Sequence, residues 1–545
     1  MARTLGGARC WLASVVFALW SAAVSADTLA DRAFESAQWV LATDAARAVA
    51  QVQARAAAGD GALAIKIRAR QEIEARLDAL RNRIANNQTQ GGLTNDLRQV
   101  RAELDRIDAE IQAEFPDYAE FANPRPLDFA KVQAALADGE ALVLFLADRN
   151  ATYVWAVSEK AVKWHRAAVS RSELSALIRE IRASLDPTGP ARSATPLGAG
   201  PAAMMDFPAG AAHRLYRALL APVEQVLDGA DHVFVVKDGP ISSLPLSVLL
   251  TEDLAAEVFE PWELREAPWL LRRFALTTLP SVSSLANRHS VGGSVGGSTK
   301  QRFIGFGDPS FAGDDDAEPV LVANRSIQTF FDDSGSRIEA IRALAPLPGT
   351  ARELNAIAGL FAPEDARLVL GAEASEAAVK SADLSRYAIL SFATHGLITG
   401  DISGLAEPAL AFSPPSEASA LDDGLLTASE AAALKLDADW VILSACNTAA
   451  GDGTPGAEGL SGLARAFLFA GARSILVSHW PVRDDAAAIL TTQTLRRAQQ
   501  DPKLGRSKAL RQTILDILGK DSYPDALAHP SAWAPFVLVG DVSHK

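Results

Sequence analysis

Cysteine is almost absent from this chain: Cys10 and Cys446 are the only two in 545 residues. Cys10 lies in an apolar N-terminal segment with the character of a leader, so removal of that segment would leave Cys446 alone. A single cysteine cannot form an intramolecular disulfide, which excludes a disulfide-stabilised scaffold. We therefore expect the remaining thiol to be a nucleophile, an intermolecular link or a buried core residue.

Basic residues and long apolar runs are also in short supply. The chain has 52 Lys and Arg against 66 Asp and Glu, a formal net charge of −14. This acidic balance disfavours nucleic acids and anionic membrane surfaces as partners. After residue 23 no apolar stretch approaches the roughly 20 residues that span a bilayer. The sequence also has no Gly-rich strand–loop–helix motif for a nucleotide, so we predict neither ATP use nor any other cofactor.

The first 26 residues have the order of a secretory signal peptide. Arg3 and Arg9 are followed by the mostly apolar segment 10–23 and then by the small residues 24–26. This order predicts cleavage before Asp27 and a periplasmic or secreted protein with no membrane span after cleavage. The alternative is a chain that stays anchored in the membrane by its N-terminus.

Residues 29–118 are rich in helix-forming side chains and contain no proline before Pro116. A polar break at 86–92 divides this region, and the second half has an apolar stripe at three- and four-residue spacing (Leu93, Leu97, Val100, Leu104, Ile107 and Ile111). We predict a helical hairpin of coiled-coil character in domain 27–122. It either packs on its own protein or recruits a protein partner.

Two short apolar runs, at 387–393 and 440–445, are typical of strands buried on both faces of a parallel sheet. His395-Gly396 closely follows the first run, and Cys446 directly follows the second. A third run, 474–478, precedes His479 and Trp480. Upstream, residues 213–227 predict a helix that leads to a strand at 232–236. Because functional groups of open α/β sheets collect where strands end at their carboxyl edge, we expect His395 and Cys446 to meet there.

A thiol and an imidazole brought together form a nucleophile and its base. The thiolate is the attacking form, and a nearby imidazolium lowers the thiol pKa. His395 and Cys446 are 51 residues apart, close to the separation of about 50 in caspases. The backbone amides of Gly396 and Cys446 are candidates for an oxyanion hole. The competing interpretation is a structural core cysteine and an unrelated buried histidine.

Several segments around these residues resemble the CHAT domain, a caspase-like cysteine peptidase family related to separases and gingipains. The matching segments are SFATHG at 391–396, DDGLLTASE at 422–430, LSACNTAAG at 443–451, EGLSGLARAFLFAGARSILVSHWPVRDDAA at 458–487 and WAPFVLVGD at 533–541. The resemblance implies an α/β fold with a caspase-like, mostly parallel sheet flanked by helices and preceded by the helical hairpin. Residues 123–340 would form the upstream half of the domain and 341–545 the catalytic half.

The resemblance implies a cysteine endopeptidase in which His395 and Cys446 form the catalytic dyad and a protein or peptide is the substrate, and the signal-like residues 1–26 imply that it is exported. His395 would act as general base or as the imidazolium of an ion pair. One departure is His479, where the family usually has an apolar residue. The alternative function is a catalytically silent or latent CHAT protein that acts as an interaction module through residues 29–118.

The sequence also indicates candidate residues for contact with the substrate. Ser478 and Trp480 lie on one face of the third strand, which makes them candidates for the substrate groove and turns His479 away from it. A zinc site is disfavoured because His395, Cys446 and His479 include no short-spaced ligand pair. The acids near the predicted cleft are Asp401, Asp422, Asp423 and Glu458. Asp423 is our candidate for substrate binding, and the roles of the other three stay open.

Export gives the first testable prediction. Cell fractionation of the native organism should place the mature chain outside the cytoplasm, and N-terminal sequencing should begin at Asp27, because a signal peptidase cuts after the small residues 24–26. An intact Met1 in the cytoplasmic fraction would contradict this prediction.

Overall fold

A computed structural model of the chain describes residues 30–41, 66, 73, 76, 93–114, 126–186, 207–254, 260–288, 301–311, 337–398, 402, 405, 407–419, 421–445, 462–520 and 522–540. Structural statements below refer to these residues. The predicted leader 1–26, Cys446, Asp401 and Glu458 lie outside them.

The strands in chain order are β1 (Glu140–Ala147), β2 (Thr152–Ser158), β3 (Val162–Ala167), β4 (His232–Val236), β5 (Ala275–Thr278), β6 (Gln301–Pro309), β7 (Ala366–Gly371), β8 (Tyr387–Ala393), β9 (Gly396–Leu397), β10 (Ala409–Ala411), β11 (Leu425–Thr427), β12 (Trp440–Leu443), β13 (Ser474–Ser478) and β14 (Phe536–Gly540). β2 (TYVWAVS) is rich in the β-branched and aromatic residues that strands favour, whereas β1 (EALVLFLA) is mostly Leu and Ala.

The α-helices are α1 (30–41), α2 (Leu93–Glu114), α3 (Phe129–Ala135), α4 (Arg171–Leu185), α5 (Ala209–Leu219), α6 (Glu224–Leu227), α7 (Arg337–Arg342), α8 (Pro348–Ala358), α9 (Glu376–Ser381), α10 (Ala428–Ala433), α11 (Gly462–Ala470), α12 (Asp484–Gln500), α13 (Arg506–Gly519) and α14 (Pro530–Trp533). Short 3-10 helices cover Ala221–Val223, Gly239–Ser243, Leu246–Val248, Pro261–Glu266, Leu270–Arg272, Val282–Arg288, Pro363–Asp365, Leu384–Arg386 and Asp525–Ala528.

Eleven of the described strands form one large sheet in the order β3-β2-β1-β4-β5-β14-β13-β12-β8-β6-β7. The strands from β13 to β7 are parallel to one another, and so are β1, β4, β5 and β14. The two parallel groups run in opposite directions and meet at the antiparallel pair β13–β14. The predicted α/β fold, with a large, mostly parallel sheet flanked by helices, is confirmed. The sheet is continuous across the predicted division at residue 340.

Helices cover both faces of the downstream strands. In β12, Trp440 and Ile442 belong to one apolar cluster together with residues of α8, α12 and α13. Val441 and Leu443 belong to a second cluster with residues of α9, α10 and α11. Successive side chains of a strand point to opposite faces, so a strand between two helical layers must be apolar at every position. This explains the continuous apolar run that predicted β12.

The predicted strands 387–393, 232–236 and 474–478 agree with β8, β4 and β13. The helix expected over 213–227 is instead α5 followed by a break at Ala221–Val223 and then α6. Pro222 lies in this break and accounts for it, because a proline nitrogen has no hydrogen to donate inside a helix.

In the helical region before residue 118, the described residues 66 and 76 pair with side chains of α2. Residues 66, 73 and 76 are helical, and Lys66 Nζ lies 2.7 Å from a carboxylate oxygen of Glu110, whereas Arg76 lies 3.3 Å from Glu103. The earlier residue, Lys66, pairs with the later position on α2, and the later residue, Arg76, pairs with the earlier one. The two segments are therefore antiparallel. The ion pairs are largely exposed and contribute little stability. Burial of Ile73 contributes more; a coiled coil stays a prediction.

Helix α1 is attached to the upstream half of the sheet by a reciprocal hydrogen-bond pair. The Gln38 amide donates to the carbonyl of Leu127 at 2.7 Å and accepts from the Leu127 N–H at 2.9 Å. Phe34 stacks on Phe129 with 4.5 Å between ring centroids and also contacts Trp155. None of the described helices is long and apolar enough to cross a membrane.

Close packing of β6 against β8 gives a stability prediction. A Cβ atom on Gly307 would lie 2.6 Å from Leu354 Cδ1 and 2.7 Å from the Ala393 carbonyl oxygen. We expect Gly307→Ala to lower the free energy of unfolding by about 1–3 kcal/mol in urea denaturation, because the added methyl overpacks this contact. Gly210→Ala is the matched control, since nothing lies within 4 Å of a Cβ there, and it should stabilise helix α5 by about 0.5–1 kcal/mol. Equal effects of the two substitutions would contradict this account of the packing.

Candidate active site at the carboxyl edge of β8 and β12

His395 lies two residues beyond the end of β8, in the short turn before β9. Its Nε2 atom lies 2.8 Å from the carbonyl oxygen of Ala345. A carbonyl oxygen only accepts, so Nε2 carries the hydrogen and Nδ1 is left as the acceptor nitrogen. The Phe311 ring contacts the imidazole at a centroid distance of 5.4 Å. A backbone carbonyl and an aromatic ring therefore hold the imidazole in one orientation and one tautomer.

The surroundings of His395 favour its neutral form. Burial lowers the pKa of His395 below its ordinary value of 6.5, because the imidazolium loses hydration, and the bond to Ala345 opposes this only in part. The imidazole is therefore unprotonated at neutral pH and able to accept a proton.

Strand register brings the chain segments of His395 and Cys446 to the same edge of the sheet. β8 and β12 are parallel neighbours, and Phe392 lies opposite Leu443. Ser444 N–H continues the pairing by donating to the Phe392 carbonyl at 2.9 Å. Phe392 is three residues before His395 and Leu443 is three residues before Cys446. Cys446 itself lies outside the described residues, so its pairing with His395 stays a prediction.

A buried carboxylate supports this edge and was missed by the sequence analysis. Ser444 Oγ donates to Glu353 Oε2 at 2.9 Å, and Glu353 is only 2% exposed. Glu353 belongs to α8, whose buried residues Thr350, Leu354 and Ile357 lie at the spacing of one helix face. An acidic residue inside an apolar helix stripe was the available sequence signal.

Gly396 begins β9, the first strand of a small antiparallel sheet that continues with β10 and β11. Gly396 lies opposite Leu410, and the N–H of Ala411 donates to the His395 carbonyl at 3.0 Å. Thr394 Oγ1 also donates to the Ala411 carbonyl. The small sheet thus holds the backbone on both sides of His395, while the oxyanion role of Gly396 stays a prediction.

Asp423 lies in the turn just before β11, which belongs to the same small sheet as Gly396. Arg337 of α7 forms an ion pair with its Oδ2 atom at 3.0 Å, and Leu425 N–H donates to its Oδ1 atom at 3.1 Å. A cationic substrate side chain would therefore compete with Arg337 for this carboxylate. Asp422 instead accepts from the N–H of Gly424 at 3.1 Å, within its own turn.

Buried Glu376 holds the turn that contains Asp423. Its Oε2 atom accepts from Asp423 N–H at 2.6 Å and from Gly424 N–H at 3.1 Å. Burial raises the pKa of Glu376 to about 7, although the bond from Lys380 opposes the shift. The sequence analysis missed this residue, because only the tertiary structure places it beneath the turn.

Ser478 and Trp480 were predicted to contact substrate, but the structure gives both a packing role. Each is fully buried. Ser478 Oγ donates to the Ala445 carbonyl at 2.6 Å, and Trp480 Nε1 donates to the Ser531 carbonyl at 2.9 Å. The Arg182 guanidinium lies over the Trp480 ring at 5.7 Å. Neither side chain has surface available for a substrate.

His479 is enclosed and has the chemistry of a neutral core residue. It is 1% exposed, and neither ring nitrogen has a hydrogen-bond partner in the part of the chain that the structure describes. Burial lowers the pKa of His479 well below 6.5, and the nearby charges of Lys237 and Arg182 lower it further. This environment does not support a role for His479 as general base. Within the described ranges, no three His, Cys, Asp or Glu side chains are grouped to hold a metal ion.

A profile of the CHAT domain matches residues 210–541, more than half of the chain. The chain belongs to the CHAT domain family. The matched range contains His395, Cys446 and the whole small sheet.

Known proteins with sequence similarity to this CHAT protein are much longer than it is. Tetratricopeptide repeat protein 28 of Mus musculus is 34% identical over 129 residues, which are 23% of this chain and 5% of that protein. The Homo sapiens protein of the same name is 32% identical over 129 residues, with the same coverage. The chain therefore spans about 5% of the length of these relatives.

Solved structures with a similar arrangement include two cysteine peptidases. The separase–securin complex of Saccharomyces cerevisiae has a TM-score of 0.41 and 11% identity, covering 82% of this chain and 33% of that chain. The Arg-specific cysteine proteinase gingipain R has a TM-score of 0.32 and 11% identity, covering 62% and 68% respectively.

The enclosure of His479 gives a prediction about pH. The pKa of His479 is depressed in the folded state. When the pH falls below about 6.5, the unfolded chain therefore takes up a proton at His479, whereas the folded chain does not. Stability is thus lost as pH falls below about 6.5, by up to about 1.4 kcal/mol per pH unit from this group. Urea denaturation at pH 7.5 and 5 should show a smaller loss for His479→Leu than for the wild type. Equal losses in both proteins would overturn this account of His479.

Proposed function

We propose that this CHAT protein is an exported cysteine endopeptidase with His395 as general base and Cys446 as nucleophile. The observation that carries the proposal is the register of β8 and β12, in which Phe392 and Leu443 are paired three residues before His395 and Cys446. Membership of the CHAT domain family supports it. The signal-like order of residues 1–26 supports export.

The tautomer of His395 suits it to the role of base. The bond from Nε2 to the Ala345 carbonyl leaves Nδ1 as the acceptor, and the depressed pKa keeps the ring neutral. We infer that the resting pair is a neutral thiol and a neutral imidazole. Proton transfer from sulfur to Nδ1 would then accompany attack, and the Ala345 carbonyl would stabilise the imidazolium that forms.

The proposed reaction is acyl transfer followed by hydrolysis. The Cys446 sulfur forms a bond to the scissile carbonyl carbon while the carbonyl π pair moves to oxygen. That pair then re-forms the carbonyl as the C–N bond breaks, and the leaving amine takes the proton from His395. Water next attacks the thioester with His395 as base, which releases the carboxylic acid and the thiol.

The small sheet is the proposed location of the substrate. Asp423 lies in the turn that leads into this sheet and is paired with Arg337, so we propose that a substrate cation exchanges with Arg337 there. Asp401 and Glu458, which lie outside the described residues, are further candidates for this contact.

A second candidate function is an interaction module that acts through the helical region. The observation that favours it is on α1, where the side chains of Trp39 and Val40 are 63% and 70% exposed. The two residues before them, Ala37 and Gln38, are buried. A large apolar surface on an anchored helix suits a protein partner. An activity-based thiol probe separates the two functions, because labelling that needs both Cys446 and His395 requires a working dyad.

The dyad itself is tested by substitution. Cys446→Ala should abolish cleavage of a peptide library without loss of folding, and His395→Ala should lower kcat/KM by about 10²–10⁴-fold. In the wild type the acid limb of the pH–rate profile should have its midpoint below pH 6.5, because burial depresses the pKa of the base. His479→Leu is the matched histidine control and should keep both rate and profile. Cleavage that survives in Cys446→Ala would refute the proposal.

A further inference from the structure

Ser478 and the peptide bond at the nucleophile are joined by a short buried hydrogen bond. Ser478 is the last residue of β13, and its Oγ donates to the Ala445 carbonyl at 2.6 Å. That carbonyl belongs to the peptide unit that links Ala445 to Cys446. We propose that Ser478 is a positioning residue that directs the N–H of this same peptide unit toward the substrate as an oxyanion donor. The inference rests on the proposed peptidase function.

Peptide geometry carries the argument. β12 lies between β8 and β13. On the β8 side, Ser444 N–H donates to the Phe392 carbonyl; on the β13 side, Ser478 holds the Ala445 carbonyl. A trans peptide unit is planar, so its N–H points away from its C=O. With the Ala445 carbonyl held toward β13, a planar trans unit would have its N–H on the side of β8, where His395 and Gly396 follow.

The hydrogen bond also acts on the donor strength of that N–H. A carbonyl that accepts a hydrogen bond polarises its own peptide unit, which makes the attached N–H a stronger donor. Donors that are oriented before the reaction stabilise an oxyanion best, since no reorganisation is needed in the transition state. Ser478 supplies both effects without contact with substrate.

The segment of Ser478 is itself held by β14 and by a residue of the upstream half of the domain. Ser478 lies opposite Phe536 of β14, and the N–H of His479 donates to the Pro535 carbonyl at 2.9 Å. Arg182 of α4 donates to the His479 carbonyl at 3.1 Å. Anchors on both adjoining segments fix the position of the hydroxyl at the end of β13.

Two reactions of Cys446 separate positioning from folding. Acetylation by p-nitrophenyl acetate passes through a tetrahedral oxyanion: sulfur bonds to the carbonyl carbon, the π pair moves to oxygen and returns, and p-nitrophenolate leaves. Alkylation by iodoacetamide forms the S–C bond as the C–I bond breaks, and no oxyanion develops. A residue that serves the oxyanion hole should affect only the first reaction.

Ser474 provides a matched control on the same strand. It is also fully buried, and its Oγ donates to the Asp439 carbonyl at 3.0 Å. Asp439 directly precedes β12, so this bond joins the same two segments at the opposite end. Ser474→Ala therefore removes a similar hydrogen bond without touching the peptide unit of Cys446.

The experiment compares both reaction rates in the full-length mature wild type, Ser478→Ala, Ser478→Thr, Ser474→Ala and Cys446→Ala. We expect Ser478→Ala to slow acetylation by about 10–100-fold while its alkylation rate stays within about twofold, and Ser474→Ala to change neither rate. Ser478→Thr, which keeps the hydroxyl, should recover most of the acetylation rate even if the alanine variant folds poorly.

The two levels of the argument fail differently. Unchanged acetylation in Ser478→Ala, an equal loss in both reactions, or an equal loss in Ser474→Ala would overturn the positioning role while the peptidase proposal stands. A wild type that is alkylated at Cys446 but shows no Cys446-dependent acetylation would overturn the proposed function, and this inference with it.

Discussion

The parallel pairing of β8 with β12 is the constraint on which the rest of the site depends. Parallel strands end at the same edge of a sheet, so residues that follow them must approach one another. The pairing is stable because β12 is buried on both faces, against α8, α12 and α13 on one side and α9, α10 and α11 on the other. Displacing β12 by one residue would move Trp440 and Ile442 into the wrong layer. The register of β12, its packing against the helices and the geometry of the site therefore depend on one another.

Opposed strand directions make the two halves of the domain interdependent. β14 runs parallel to β5 and antiparallel to β13, so the C-terminal strand connects the halves. Arg182 crosses the same boundary and donates to the Ser243 and His479 carbonyls at 2.7 and 3.1 Å. The upstream half carries no catalytic side chain in our proposal, yet it positions the strand that supports the nucleophile.

Buried ionisable groups show how the fold controls charge near this boundary. Burial lowers the pKa of Lys237 to about 7, and His479 beside it is held neutral. Burial keeps His395, at the end of β8, neutral as well. Removing charge by desolvation, and not by ion pairing, keeps the imidazole of His395 available as a proton acceptor.

The sequence by itself determined the elements and their order. Runs that are apolar apart from an occasional Ser or His indicated strands covered on both faces, which explains why the predictions for β4, β8 and β13 were right. The motif order also identified the CHAT family, and the position of His395 after β8 followed from the same runs. Helix 213–227 was less well predicted, because the break at Pro222 has a local cause that the apolar pattern conceals.

Only the tertiary structure decided which groups touch the site residues. The Ala345 carbonyl that orients His395 is a backbone atom, which every residue has, so no residue type could have indicated it. Glu353 beneath Ser444 and Ser478 beneath the Ala445 carbonyl are contacts across 91 and 33 residues. Local sequence specifies strand and helix through periodicity and propensity, whereas such contacts arise when separate elements pack. For that reason Trp480 and Ser478, expected at the groove, are found in the core that supports it.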